Sequence, residues 1–200
     1  MREIEIARGG FTVFARVLGE PQAPALLYLQ GGPGFPAPRQ RFEWVTHALE
    51  RGYQVVLLDQ RGTGRSTRID SATPELIRTD VLASLRADEI VADAEALREE
   101  MGLDRWDVLG QSFGGFCLMH YLAAHPDSVG RALFTGGVPS IGEGADEVYR
   151  ATFAKLKRRH LQFDEAYPDA ERMVREVCRH LEAQEELLPT GERLSARRLR

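Results

Sequence analysis

Along the first 140 residues, apolar positions recur with two alternating periods, and each period predicts a different kind of element. Residues 4–7 and 11–18 read as strands, and the link Arg8-Gly9-Gly10 between them predicts a β-hairpin. Residues 25–30 (ALLYLQ) and 54–59 (QVVLLD) are almost wholly apolar and end in turns. That is the pattern of strands covered on both faces of a parallel sheet. Between them Phe42, Val45 and Leu49 fall at helical spacing, with Gly52 where a C-terminal cap belongs. A polar stretch over 61–87 leads into Ile90, Ala94, Leu97 and Met101, again at helical spacing. Residues 106–110 (WDVLG) predict a third buried strand, 113–124 a helix, and 131–135 (RALFT) a fourth buried strand. Such alternation implies an α/β domain with a largely parallel sheet and flanking helices.

The pattern changes at Gly136-Gly137-Val138-Pro139. From there to residue 200 no strand is expected, only charged helices over about 145–162 and 168–187. Twelve basic and twelve acidic residues balance in this stretch, so its charge reads as a solvated face. The expected division is therefore an α/β core over 1–139 and a helical segment over 140–200, placed where a subdomain can be inserted after a parallel strand. The final residues, 193–200 (RLSARRLR), lack a turn or polar tail, and the expectation is a chain cut within a longer protein.

Composition restricts the function classes. With 43% hydrophobic residues, 200 residues can bury a core of one ordinary domain. Thirty acidic against twenty-six basic side chains give a net charge of −4 and a pI near 5.8, which argues against a nucleic-acid binder. Cys117 and Cys178 are too few for a disulfide scaffold and suit a reducing compartment. The N-terminus alternates charged and apolar residues, unlike a signal peptide, and no apolar run approaches the roughly 18 residues of a membrane helix. A cytoplasmic protein with no membrane partner is expected, and 24 arginines against 2 lysines point to a GC-rich bacterial genome.

Three loops carry chemistry. Gly110-Gln111-Ser112-Phe113-Gly114-Gly115 matches G-x-S-x-G between an expected strand and an expected helix. A sharp turn there lifts the serine hydroxyl clear of the sheet, and Gly110 and Gly114 keep the flanking backbone from colliding. The helix N-terminus offers free N–H groups to a developing oxyanion. An ordinary glycine-rich turn or a phosphate loop fits the same five residues, although no Lys follows as a phosphate loop would require. Gln30-Gly31-Gly32-Pro33-Gly34 follows the first buried parallel strand, the position from which an α/β-hydrolase supplies a second backbone donor. Asp59-Gln60-Arg61-Gly62-Thr63-Gly64-Arg65-Ser66 follows the next strand; it lacks the third glycine of a dinucleotide fingerprint, and Asp59 and Arg61 read as braces for the loops.

In this order and spacing QGGPG, DQRGTGRS and GQSFGG resemble the proline iminopeptidases (prolyl aminopeptidases) of the α/β-hydrolase fold, closely over residues 1–140 and loosely beyond. Gln30 departs from the family, where many members carry His. The resemblance implies an α/β-hydrolase core over 1–139, a partial helical cap over 140–200, and C-terminal strands missing from this chain. It implies release of N-terminal proline from short peptides through a serine acyl-enzyme, without metal or cofactor. Ser112 would be the nucleophile, the N–H groups of Gly32 and Phe113 the oxyanion hole, and Gly31, Pro33, Gly110 and Gly114 supporting residues. The fold places its acid and then its histidine after the serine, and none of His47, His120, His125, His160 and His180 suits that role. The triad is therefore expected to be completed beyond residue 200, leaving the 200-residue chain inactive. The resemblance also implies acidic cap side chains that hold the substrate's free amine; Glu143, Glu147, Asp164 and Glu165 are candidates, and no motif chooses among them, so none is assigned. An esterase or lactonase on the same fold, and a non-catalytic binding module, remain alternatives; Ser112 at the elbow disfavours enzymes that use Asp there. Oligomeric state has no signature in the sequence.

Overall fold

In the computed structural model, which describes residues 1–138, 142 and 144–199, the Arg8-Gly9-Gly10 link closes the expected hairpin. Strand β1 (Arg2–Arg8) pairs antiparallel with β2 (Phe11–Leu18), and Gly9 and Gly10 turn the chain at φ +57° and +81°. The chain then runs β3 (Ala25–Leu29), α1 (Glu43–Glu50), β4 (Gln54–Asp59), α2 (Thr79–Ala83), α3 (Ala87–Glu100), β5 (Trp106–Gln111), α4 (Phe113–Ala124) and β6 (Val129–Thr135). These six strands form one sheet in the order β1-β2-β4-β3-β5-β6. The pairs β3/β4, β3/β5 and β5/β6 are parallel, and β2/β4 is antiparallel.

Side-chain alternation along the strands feeds two cores. Leu27 and Leu29 of β3, with Val56 and Leu58 of β4 and Val108 of β5, pack with Ile90, Val91, Ala94 and Leu97 of α3 and Cys117, Leu118 and Tyr121 of α4. Leu26 and Tyr28 face the other way and meet Val45 and Ala48 of α1. The two-sided burial explains why β3 and β4 read as continuous apolar runs.

Two details of this region differ from expectation. The polar stretch over 61–87 contains α2 and a 3-10 turn at Pro74–Leu76; neither buries a residue, so no apolar period marked them. Strand β6 starts two residues earlier than expected, at Val129, directly after a 3-10 turn at Pro126–Ser128, and it is an edge strand with no buried residue instead of the buried strand expected.

By its backbone contacts the chain separates into two units, Met1–Pro139 and Ser140–Arg200. The second contains α5 (Ala145–Ala166), α6 (Ala170–Ala183), strands β7 (Glu186–Leu187) and β8 (Arg193–Leu194), and the short α7 (Ala196–Leu199). The expectation of helices alone is corrected here. The helix expected to reach 187 stops at Ala183, and β7 pairs antiparallel with β8. The link between the two strands closes through Gly191 (φ +80°), whose N–H donates to the Leu188 carbonyl at 2.8 Å. Two-residue strands are too short to show a period of two, so the sequence pattern passed over them. α6 buries Cys178 and Leu181, whereas α5 buries no residue.

Candidate active site

Sheet order creates the site. From β3 the chain moves to β4 on one side and then crosses to β5 on the other, so β3 and β5 are neighbours whose following loops leave in opposite directions. The crevice beyond the carboxyl ends of such a strand pair is where open α/β sheets bind ligands. The Gly31–Gly34 loop follows β3, and Ser112 follows β5.

Ser112 occupies the one-residue junction between β5 and α4 with φ 51° and ψ −118°, the only non-glycine at positive φ among the described residues. Such a conformation is strained for an L-residue and persists only when its surroundings over-determine it. Those surroundings are visible. The Ser112 N–H donates to the Thr135 carbonyl at the end of β6 (3.1 Å), and its carbonyl accepts from Gly115 N–H (2.8 Å). Four glycines around it approach other backbone too closely to carry a side chain. A Cβ on Gly110 would lie 2.6 Å from the Gly114 carbonyl oxygen, and one on Gly114 would collide with the Leu29 carbonyl. A Cβ on Gly115 would lie 2.7 Å from the carbonyl oxygens of both Gly136 and Gly137, and one on Gly137 would run into the Ser112 carbonyl. The apolar pattern marks only a change of character at Gly136-Gly137 and does not show this role. Its available signal was a glycine pair directly after a parallel strand, like the pair after β3.

The β3 loop comes up against the serine. A Cβ on Gly31 would sit 3.0 Å from Ser112 Cβ and 3.6 Å from Ser112 Oγ. Gly32 follows at φ +128°, a region open to glycine. Among the described residues neither the Gly32 nor the Phe113 N–H has an acceptor, and Phe113 opens α4, where free N–H groups and the positive end of the helix dipole coincide. Gln30 is buried and donates through Nε2 to the Phe35 carbonyl (3.1 Å), while its own main-chain carbonyl accepts from Gln60 Nε2 (3.2 Å).

Asp59 and Arg61 brace this end of the sheet. The fully buried Asp59 carboxylate accepts from the N–H groups of Ala37 (2.9 Å) and Arg65 (2.8 Å) and from the Arg39 guanidinium (3.0 and 2.5 Å). Arg61 makes a two-pronged bond to the buried Asp93 on α3 (2.7 and 2.6 Å) and lies 4.7 Å over the Phe11 ring. Behind α4, Trp106 Nε1 donates to the Tyr121 hydroxyl (3.0 Å), which donates to Glu95 (2.6 Å). Burial raises the Glu95 carboxyl, but hydrogen bonds from Arg98, Tyr121 and Ser128 outweigh it and hold the group at about 2. On the other side of the sheet the Tyr28 hydroxyl bonds the Gln111 side chain, beside a cavity of about 390 Å³ lined by Tyr28, Phe42, Trp44, Leu109, Gln111 and Thr135. Cys117 is a buried hydrophobe whose thiol is pushed up to about 12 by burial, which keeps it an inert thiol.

No histidine hydrogen-bonds the Ser112 hydroxyl among the described residues. His120 is exposed on α4, and His125 ends that helix with its ring against Tyr121 (5.8 Å between centroids). His160 is exposed on α5, and His180 pairs with Glu186 at 2.7 Å. Of the acids considered for a substrate amine, Glu147 is paired with Arg150 (2.5 Å), Asp164 and Glu165 are exposed on α5, and Glu143 lies outside the described residues.

A serine forced to positive φ between a parallel strand and a helix, with glycine loops from two other strands packed on it, is the arrangement of one fold family, and residues 24–193 match the alpha/beta hydrolase fold. The chain belongs to the α/β-hydrolase family. Within that family it is similar to proline iminopeptidases. It is 43% identical over 203 residues to the proline iminopeptidase of Aeromonas sobria, covering 94% of this chain and 47% of that protein. It is 35% identical to the proline iminopeptidase aneH of Aspergillus aculeatus, with 92% and 45% covered. A solved structure of a proline iminopeptidase-related protein from Thermus thermophilus superposes with a TM-score of 0.50 at 29% identity, over 67% of this chain and 44% of that one. This α/β-hydrolase chain thus spans about half the length of the curated relatives it matches. Among its described residues no helix is long and apolar enough to cross a membrane.

Proposed function

We propose that this α/β-hydrolase chain belongs to a cytoplasmic, bacterial serine aminopeptidase that releases N-terminal proline from short peptides. The observation that carries the reading is the strained Ser112, with Gly31 so near it that an added Cβ there would lie 3.0 Å from the serine Cβ. Ser112 Oγ attacks the carbonyl carbon of the N-terminal residue while a histidine base takes its proton. The tetrahedral oxyanion lies between the N–H groups of Gly32 and Phe113, both without an internal acceptor among the described residues. Collapse expels the shortened peptide as its amine and leaves a prolyl ester on Ser112, which water hydrolyses. This chemistry requires neither metal nor cofactor. The reading assigns base and acid to residues outside the 200 present, because no histidine among the described residues bonds the serine hydroxyl. It treats the segment over 140–200 as part of a helical cap.

The experiment is turnover of a prolyl chromogenic amide by the protein as its gene encodes it, beside alanyl and leucyl amides and simple esters. Preference for the prolyl amide, and a fall of roughly 1000-fold or more in Ser112→Ala with the fold retained, is expected. Unchanged turnover in Ser112→Ala overturns the nucleophile. Preference for esters moves the reading to an esterase or lactonase, and binding without turnover to a non-catalytic module.

A further inference from the structure

We propose that Gln30 is a positioning residue for the oxyanion loop: its side chain clips residues 31–35 into the arc that brings Gly31 against Ser112. The proposal rests on the reading of Ser112 as nucleophile, but the clip itself is visible independently of it.

The half-buried Gly31 and the exposed residues 32–36 form a bridge between two anchored points, the end of β3 and the buried Ala37, whose N–H is held by Asp59 at 2.9 Å. Little packing supports the bridge from below. A cavity of about 250 Å³ is lined by Pro33 and Gly34 together with Gln60, Arg61, Thr63 and Leu85. Gly31, Gly32 and Gly34 add backbone freedom and bring no side chain to pack. Among the described residues, the single hydrogen bond made by any of residues 31–36 is the one from Gln30 Nε2 to the Phe35 carbonyl, at 3.1 Å. It closes the loop from the residue that precedes it across to its fifth residue. The base of the clip is fixed in turn: Gln60 Nε2 donates to the Gln30 carbonyl at 3.2 Å, and Gln60 is held by Thr63, whose hydroxyl donates to the Gln60 carbonyl at 2.7 Å.

Both amides point their nitrogens at carbonyl oxygens, and this orientation leaves Gln30 Oε1 and Gln60 Oε1 buried without a donor among the described residues. A buried acceptor without a partner is a cost to the fold. Gln30 therefore does something other than maximise stability. An apolar residue of similar size would fit the same pocket and remove the orphaned oxygen. Phe35 is exposed, so its carbonyl can turn to water when the clip is lost. Stability and catalysis are thereby separable at this position, and a residue of merely structural importance would move them together.

The test compares native protein, Gln30→Leu and Ser112→Ala, each in the full product of the gene. Turnover of a prolyl amide is measured together with urea unfolding and hydrogen–deuterium exchange of the peptide spanning residues 31–36. Gln30→Leu is expected to keep or raise the unfolding midpoint and to speed exchange in that peptide. Its kcat is expected to fall by about 10–100-fold, as misplacement of an oxyanion donor does, with KM within about threefold. If Gln30→Leu does not fold, Gln30→Met, unbranched and close in volume, takes its place. Native kcat in the variant, or exchange over 31–36 equal to that of the native protein, overturns the proposal. A native protein without prolyl-amide turnover, or a Ser112→Ala variant that retains it, overturns the reading of Ser112; the clip is then judged by the exchange measurement alone.

Discussion

Ser112 owes its geometry to residues that have no side chain. A helix interior ordinarily favours Ala over Gly by about 1 kcal/mol, so propensity alone would call Gly114 a weak point of α4. The Leu29 carbonyl decides otherwise, because a methyl at Gly114 would occupy the space that oxygen already fills. Overpacking of this kind costs about 1–3 kcal/mol, and relief would require β3 and α4 to separate. Gly114→Ala is therefore expected to destabilise the fold by about 2 kcal/mol, opposite in sign to the propensity gain, as read from the urea midpoint. An unchanged or raised midpoint would mean that the strand and helix are less tightly opposed than described. The motif glycines were legible as a pattern. Gly137, whose backbone passes the Ser112 carbonyl, was not, since that contact joins residues 25 apart in sequence.

At the scale of elements, α3 and α4 are tied to each other and to the turn before β6 through Glu95. Its carboxylate gathers Arg98 (2.6 Å), the Tyr121 hydroxyl (2.6 Å) and the Ser128 hydroxyl (2.8 Å), so one side chain joins a helix, the helix carrying the serine at its start, and the turn before β6. Folding lowers the Glu95 carboxyl from its ordinary 4.5 to about 2. A depressed folded value means that the unfolded chain binds the proton more readily. The stabilisation is thus fully present above about pH 4.5 and lost as the pH falls towards 2. Glu95→Gln is expected to be less stable than the native chain at pH 7, with the gap narrowing as the pH drops through that window. Thermal unfolding at stepped pH measures it, and a gap independent of pH would remove the charge from the explanation. Nothing in the spacing of Glu95, Tyr121 and Ser128 announced this network, because Glu95 shares its helix with acids such as Asp88 and Glu99 that are paired at the surface.

At the scale of the whole molecule, the six-stranded sheet ends in β6. β6 pairs only with β5 among the described residues, and Leu133 on it is 46% exposed. An open edge strand with apolar side chains invites pairing with other chains. Two outcomes are expected for residues 1–200 alone. They should show no turnover of a prolyl amide, for want of a base at Ser112, and they should self-associate, with Leu133→Lys reducing the association seen by light scattering. Turnover equal to that of the full gene product would mean that a histidine within 1–200 serves as base, and a monodisperse 1–200 chain would show the edge to be protected.

Much of this architecture follows from the sequence by itself. Apolar period and glycine placement predict the hairpin, the buried strands and the helices between them in order, because burial on one or two faces leaves its mark within a few residues. The strand–serine–helix turn is equally local, and G-x-S-x-G records it. Strand order, the meeting of Gly31 with Ser112, the clip from Gln30 to Phe35, the brace of Gly136-Gly137 and the two-residue strands β7 and β8 were decided only by the tertiary structure. Each of these depends on which distant backbone or short segment lies opposite. A sequence shows that a glycine is present; only the atoms packed on it show why no other residue would fit.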